Sequence, residues 1–303
     1  MLQFNGKRTE VFAFMTERVS ERAYAKINPY LDIISRRTDG FHEIVSYMLT
    51  LDLCDKIEIT RKESGISVKG NAGVPEKEDL MYRAAEMFFA ETGIDGGAFI
   101  NIEKVIPMQA GLAGGSSDAA AVLRGLDRLY KTEMCTHDLE VIGGRLGSDV
   151  PFCIGGGARI SRGRGEILSD APKFPDCRVV VAIGKERAST PHQFALLDRL
   201  FDNFSERIYD ADRFADFCDS VGKGDLFTTV EYMYNIFEAT GCRDEAAIGI
   251  MKDNGAVGCL MSGSGSAVFG IFDDSNTSHR ACAALIDAEY TAFDTSPIYN
   301  FKA

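Results

Sequence analysis

Two hydrophobic periods run through this chain, and they occupy separate stretches instead of alternating regularly. Glu21 to Ile34 intersperses β-branched and aromatic residues with polar ones, which predicts a strand interrupted at Pro29. Val45 to Thr60 places Leu49, Leu51, Leu53, Ile57 and Ile59 at alternate positions and predicts two strands, with Gly65 to Lys69 as a short hairpin partner. Leu80, Ala84, Met87 and Phe88 fall on one face of a helix predicted over Glu78 to Thr92. A strand over Gly97 to Ile106 follows, then helices over Ser116 to Tyr130 and Thr136 to Leu146.

Beyond Leu146, glycines at 155–157 and at 163 and 165 flank a short strand and mark the approach to a domain boundary. Arg178 to Ile183 is a compact apolar strand. Pro191 to Glu238 is mostly helical in pattern, and Asp244 to Asn254 adds a short helix. Gly258 to Met261 and Ala267 to Phe272 read as strands joined by a Ser-Gly-Ser-Gly turn. Segregated strands and helices favour an α+β fold over a repeating βαβ order. The expected division is an N-terminal extension at 1–21, one lobe at 22–170 and a second at 171–303. Met1 to Phe14 is expected to be dispensable.

A chain of 303 residues can bury a substantial core, and 45% hydrophobic with 26% charged residues is ordinary for a globular protein. The net charge of −12 argues against nonspecific nucleic-acid binding and against an anionic membrane surface, but not against a nucleotide held by local amides. Eight cysteines stand singly, with no C-x-x-C pair and no clustering with the four histidines, so a zinc site is not expected. No secretory signal or membrane-length apolar run is visible, and reduced cysteines in the cytoplasm are the simple reading. Oligomeric state is not written in any of these patterns.

The most chemically pointed stretch is Pro107 to Ala121, where small residues crowd a loop and run straight into an amphipathic helix. Glycines allow the backbone to turn tightly and approach a ligand. Amides of the loop and of the first helical turn can then converge on an anion, and Ser116 and Ser117 offer an N-cap and hydroxyls. A polyphosphate suits this best, with Pro107, Ala110, Gly111, Leu112, Ala113, Gly114, Gly115, Ser116 and Ser117 as its candidate contacts. The stretch is neither a Walker A loop nor a dinucleotide fingerprint. Read alone, it is as readily a plain strand-to-helix connection.

Three further segments bear on that choice: Ala25-Lys26-Ile27-Asn28 with Asp39-Gly40-Phe41-His42, then Leu146-Gly147-Ser148-Asp149-Val150-Pro151, and finally Ser262-Gly263-Ser264-Gly265. In this order, and with the Gly-rich loop between them, they resemble the GHMP kinases, a family of small-molecule kinases. The likeness runs from about Arg22 to the C-terminus and is nearest to members that phosphorylate a cytidine-diphosphate-linked polyol. It implies a two-lobed α+β fold, an N-terminal lobe like ribosomal protein S5 domain 2 and a ferredoxin-like C-terminal lobe, with the active site in the cleft between them. ATP with Mg2+ and a nucleotide-linked small molecule are the implied ligands.

Asp149, which alone would more often be a turn or cap residue, matches the family's catalytic base. Lys26, alone a solvated strand-edge charge, matches the Lys beside that base, where it can stabilise developing charge. Asn28 lies on the same face of its strand two residues on and is a substrate contact. Phe41 and His42 match the residues that contact the cytosine, and Phe194 is expected to form the opposite wall of an aromatic sandwich. Lys104 is expected near ATP, although a solvated lysine fits its position as well. Gly263 and Ser264 resemble the family motif that folds back near the acceptor. Asp79 departs from the pattern, because an Asn that contacts adenine often stands there and a carboxylate cannot donate as an amide does. No residue pair announces a magnesium site, and Ser116 or Ser117 is the candidate. A homoserine- or mevalonate-type kinase, or a non-catalytic sensor on the same scaffold, remains open on sequence alone.

Overall fold

Two long strands carry the N-terminal half of the protein. In the computed structural model, which describes residues 17–71, 73–185, 189–205 and 207–299, β1 (Arg18–Arg36) and β2 (His42–Lys62) pair antiparallel from Arg18↔Thr60 to Arg36↔His42. The sheet therefore takes in Arg18 to Ser20, ahead of the strand expected from Glu21. Val19 supplies the reason, since it packs against the lobe's core. The expectation for Met1 to Phe14 lies outside the described residues.

β2 is one bent strand rather than two. Its register shifts opposite Tyr24–Lys26, around Leu51 to Leu53, but no Gly or Pro is present there to make a turn. Beyond that irregularity its free edge changes partner. Lys56–Lys62 pairs with β4 (Gly97–Glu103), whereas Ile44–Leu49 pairs with β5 (Ala158–Gly163), which pairs with β6 (Ile167–Asp170). β3 (Gly65–Lys69) is not a hairpin partner of β2, because β4 is inserted between them and runs parallel to β3. Pro29 sits where β1 has two residues, Asn28 and Pro29, between Ile27 and Tyr30 against one, Met48, between Leu49 and Tyr47 on β2. A bulge of this kind is where a strand tolerates a residue without an N–H.

Helices α1 (Leu80–Thr92), α2 (Gly114–Tyr130), α3 (Thr136–Leu146) and α4 (Val150–Gly155) form one core with this sheet. Ile57, Ile59, Ile100 and Ile102 meet Ala84, Phe88, Ala119, Leu123 and Leu126 there.

The second sheet consists of β7 (Arg178–Ile183), β9 (Gly258–Met261), β10 (Ala267–Phe272) and β11 (Ala292–Thr295), in the antiparallel order β11-β7-β10-β9. With α5 (Thr190–Leu200), α6 (Ala211–Lys223), α7 (Leu226–Tyr232) and α8 (Glu245–Asp253) between β7 and β9, and α9 (Ser275–Asp287) between β10 and β11, this is the split βαβ order of a ferredoxin-like lobe. The apolar runs of β7 and β10 are buried on both faces. Val179, Val181, Phe269 and Ile271 join the core shared with β1 and β2, while Val180, Ala182, Val268 and Phe272 face Ile248, Met251, Ala281 and Leu285 of α8 and α9.

Shared burial fixes one lobe against the other. Tyr30 and Tyr47 of the first sheet meet Phe217 of α6, at ring centroid distances of 5.4 and 5.3 Å. β8 (Tyr234–Asn235), from the second half of the chain, pairs parallel with β1 at Tyr30 and Leu31. Leu51 also bridges to Pro297. Phe217 is fully buried at this junction. Phe217→Ala is expected to lower unfolding stability by about 3–5 kcal/mol, the usual cost of such a cavity, as read from urea unfolding. A loss below about 1 kcal/mol would show that the lobes do not depend on this junction.

Candidate active site

The bulges that distort β1 free its polar side chains and one of its amides for the cleft between the lobes. Lys26 lies between two register shifts, and its amide donates to Leu112 O of the Gly-rich loop at 3.1 Å. Lys26 Nζ donates to Asn28 Oδ1 at 2.7 Å, one pleat further along the same face. Asn28 Nδ2 donates to Ser46 Oγ at 2.8 Å, and Ser46 Oγ donates to Tyr30 O. Lys26 and Asn28 are both buried, and this chain of bonds holds the ammonium in place.

Asp149 approaches from the opposite side. It occupies the N-cap position of α4, but its carboxylate makes no capping bond and lies 3.8 Å from Lys26 Nζ. The Lys26 side chain is 5% exposed and that of Asp149 is 37% exposed. The pair thus presents one solvent-facing carboxylate backed by a buried ammonium.

The Gly-rich loop lies over this pair. Gln109 and Ala113 hold left-handed backbone conformations, as does Gly111 at φ +78°. A Cβ on Gly111 would fall 2.1 Å from Ser262 O of the Ser-Gly-Ser-Gly turn, so only glycine fits. Two bonds join loop and turn: Ala267 N donates to Ala110 O at 2.9 Å, and Ser262 Oγ to Gly111 O at 3.0 Å. A Cβ on Gly263 would lie 3.2 Å from Gly111 O and 3.3 Å from Lys26 Nζ. Asn235 of β8 holds this turn, donating from Nδ2 to Met261 O and Gly263 O. Ser264 pairs with Thr190 through their hydroxyls at 2.8 Å.

α2 begins at Gly114, two residues before Ser116. Its N-cap is Ala113, and Ser117 N donates to Ala113 O. Ser116 and Ser117 therefore do not cap the helix, and the amides of Gly114, Gly115 and Ser116 lack an intrahelical acceptor. Ser117 Oγ donates to Tyr24 O and is buried, which ties the helix to β1.

Lys104 follows β4 and stands behind the loop. Its Nζ is 2.6 Å from Asp55 Oδ2 and 2.6 Å from Asp118 Oδ2, and a Cβ on Gly114 would lie 3.0 Å from it. Asp55 also accepts from the amides of Val105 and Ile106. Burial pushes the Asp118 carboxyl up to about 8, opposed by Lys104 and reinforced by the charge of Asp55.

At the other end of the cleft, His42 is buried with Nε2 2.7 Å from Asp198 Oδ1. It stacks on Phe194 at 4.7 Å and 18°. Phe194 is thus covered by His42 rather than facing Phe41 across a slot, and Phe41 is the exposed ring, with the Arg164 guanidinium 5.0 Å from its centroid. One cleft of about 830 Å³ is lined by Lys26, Asn28, Phe41, His42, Lys104, Asp149, Phe194, Gly263 and Ser264, along with Ala110, Gly111 and Ala113 to Ser116 of the loop.

Comparison with known proteins bears on what such a cleft does. The GHMP kinases N terminal domain model matches residues 79–157, and the GHMP kinases C terminal model matches residues 243–292. A 4-diphosphocytidyl-2-C-methyl-D-erythritol kinase of Alkaliphilus metalliredigens (strain QYMF) is 39% identical over 263 residues, covering 84% of this chain and 88% of that protein. The chain belongs to the GHMP kinase family. A crystal structure of 4-(cytidine 5'-diphospho)-2C-methyl-D-erythritol kinase superposes with a TM-score of 0.77 at 31% identity, over 93% of this chain and 100% of that one. A homoserine kinase from Cytophaga hutchinsonii, at 16% identity and TM-score 0.72 over 95% of this chain and 97% of that one, shares the fold.

Not every candidate residue of this GHMP kinase faces the cleft. Pro107, Leu112 and Ser117 lie outside its lining; Leu112 is buried in the core and contributes its carbonyl to Lys26 instead. Asp79 caps α1, accepting from Met81 N, and its other oxygen accepts from Asn71 Nδ2 at 2.7 Å. Sequence reasoning missed Asp55, Asp118, Asp198 and Asn235. Asp118 gave one signal, a carboxylate followed directly by three alanines on a helix packed into the core, whereas isolated polar residues such as Asp55 gave none.

The pH dependence of stability tests the lysine between its two carboxylates. The native state holds the Asp118 proton more tightly than an ordinary carboxyl does, so its stabilising contribution is complete below the usual carboxylate range and is lost as pH rises toward about 8. Urea unfolding of wild type and Asp118→Asn is expected to show the difference moving in favour of the variant between pH 5 and 8. A difference that does not change with pH would contradict this.

Proposed function

We propose that this protein transfers the γ-phosphoryl group of ATP to the 2-hydroxyl of 4-diphosphocytidyl-2-C-methyl-D-erythritol, in the non-mevalonate route to isoprenoid precursors. The observation that carries the reading is a single cleft with the Lys26–Asp149 pair under a Gly-rich loop at one end and Phe41, His42 and Phe194 at the other. A small aliphatic acceptor has no use for the aromatic end, and a sensor has no use for the paired Lys26 and Asp149.

In this reading the amides of Gly114, Gly115 and Ser116 hold the polyphosphate, and the start of α2 adds a favourable field. Each such bond to a charged oxygen contributes roughly 1.5–3 kcal/mol. The acceptor hydroxyl lies against Asp149, its oxygen bonds to the γ-phosphorus, and the bond to the β-phosphate bridging oxygen breaks to release ADP. Asp149 takes the hydroxyl proton as that bond forms, because a carboxylate is a weak base for a free alcohol. Lys26 stabilises the charge that spreads over the transferring group. Asn28 orients the acceptor, Gly263 and Ser264 close over it, and Lys104 contacts ATP behind the loop.

Among the described residues no group of three His, Cys, Asp or Glu side chains is placed to hold a metal ion. Ser116, whose hydroxyl is not tied to the fold as that of Ser117 is, would hold a Mg2+ ion carried by ATP, and the ion would supply charge neutralisation there. We divide the chain into an ATP-binding lobe to residue 170 and a C-terminal lobe from 171. We place the protein in the cytoplasm, where its eight thiols stay reduced.

Mass spectrometry of reactions with Mg-ATP and the cytidylylated methylerythritol, mevalonate, phosphomevalonate, homoserine or galactose tests the reading. A gain of one phosphoryl group on the cytidylylated compound alone is expected; phosphorylation of another acceptor in its place would overturn the assignment. Asp149→Asn is expected to lower kcat at least ~10²-fold with ATP affinity nearly unchanged. Near-normal turnover would remove Asp149 from the proton transfer.

A further inference from the structure

The acceptor in this reading carries a diphosphate between its base and its reacting hydroxyl, and the inference drawn here rests on that reading. Three cationic side chains, Lys26, Lys104 and Arg164, line the cleft among the described residues. The first two are committed, Lys26 to Asn28 and Asp149 and Lys104 to Asp55 and Asp118. Neighbouring Arg37 is bound by Asp39 and Glu43 and is not part of the lining.

Arg164 differs in both position and partners. It lies on the turn between β5 and β6, which is closed by bonds from Arg164 N to Glu166 Oε2 at 2.6 Å and from Gly165 N to Arg162 O at 3.1 Å. Its guanidinium is 5.0 Å from the Phe41 ring centroid, its Nε is 3.5 Å from Glu166 Oε1, and the side chain is 39% exposed. The same turn touches the catalytic loop, since a Cβ on Gly165 would lie 3.4 Å from Ser148 Cβ, next to Asp149. The turn therefore spans the interval between the aromatic wall and the transfer centre, where a linking diphosphate has to run.

We propose that Arg164 binds the diphosphate of the acceptor and thereby selects a nucleoside-diphosphate-linked substrate over a bare polyol. A guanidinium presents a planar fork of donors that matches phosphate oxygens. Its place over Phe41 keeps that plane oriented beside the base wall. Glu166 takes the backbone amide and Nε, and Asp39, which also feels the Arg164 charge, is bonded to Arg37, so the terminal guanidinium donors remain for the ligand.

Isothermal titration of cytidine and of CDP into wild type, Arg164→Met and Arg164→Lys tests this, with the nucleotide site saturated by a non-hydrolysable ATP analogue. Wild type is expected to bind CDP more tightly than cytidine. Arg164→Met is expected to lose roughly 10- to 100-fold of CDP affinity while binding cytidine as wild type does, and Arg164→Lys to keep part of the preference. An undiminished preference for CDP in Arg164→Met would overturn the proposal. So would equal loss of both ligands, which would make Arg164 a support of the base wall. Wild type binding neither cytidine nor CDP would instead overturn the reading of the acceptor itself.

Discussion

The active site exists because two glycine-bearing turns from different lobes touch backbone to backbone. Gly111 and Ser262 approach so closely that no side chain fits between them, and Ala110 O and Gly111 O accept bonds from Ala267 N and Ser262 Oγ. A third carbonyl of the same loop, Leu112 O, accepts from Lys26 N on the first sheet. Each bond is worth only about 1 kcal/mol net, but together they fix the loop against both sheets. The open amides at the start of α2, Lys26 and the Ser-Gly-Ser-Gly turn are thereby set in one geometry.

The cleft manages its charges by pairing each of its two ammonium groups with carboxylates. Lys26 faces Asp149, which is exposed enough to meet a substrate, whereas Lys104 is gripped by Asp55 and Asp118, which are not. The same residue types therefore serve different ends. Solvent reaches the first pair through Asp149, and burial around the second raises the affinity of Asp118 for a proton. The shared apolar core around Tyr30, Tyr47 and Phe217 resists lobe movements that would carry the Ser-Gly-Ser-Gly turn of the second lobe away from these pairs, which belong to the first.

Much of this was legible in the sequence wherever chemistry and local structure coincide. The Ser-Gly-Ser-Gly turn and the strands at Gly258–Met261 and Ala267–Phe272 stand where the pattern places them, as does the helix from Thr136 to Leu146. Lys26 and Asn28 share a face because period two holds across Pro29's strand. What the sequence hid is non-local. The absence of Gly and Pro from Leu51 to Leu53 was a readable sign against a turn there, but β4 entering between β2 and β3 leaves no local mark. The start of α2 was misplaced because Ala113 takes a left-handed conformation that its residue type does not advertise. Phe194 lines the cleft, but its stacking on His42 depends on α5, whose position is set by the second lobe.

The central claim is that one cleft holds both substrates with the reacting atoms between Lys26 and Asp149. A crystal structure with a non-hydrolysable ATP analogue and the cytidylylated acceptor tests it most directly. The account predicts the polyphosphate on the amides of Gly114 to Ser116, the cytosine at Phe41 and His42, and the acceptor hydroxyl within hydrogen-bond distance of Asp149 and facing the terminal phosphate. Ligands seated apart, with the hydroxyl away from Asp149 or the phosphates off the loop, would contradict it.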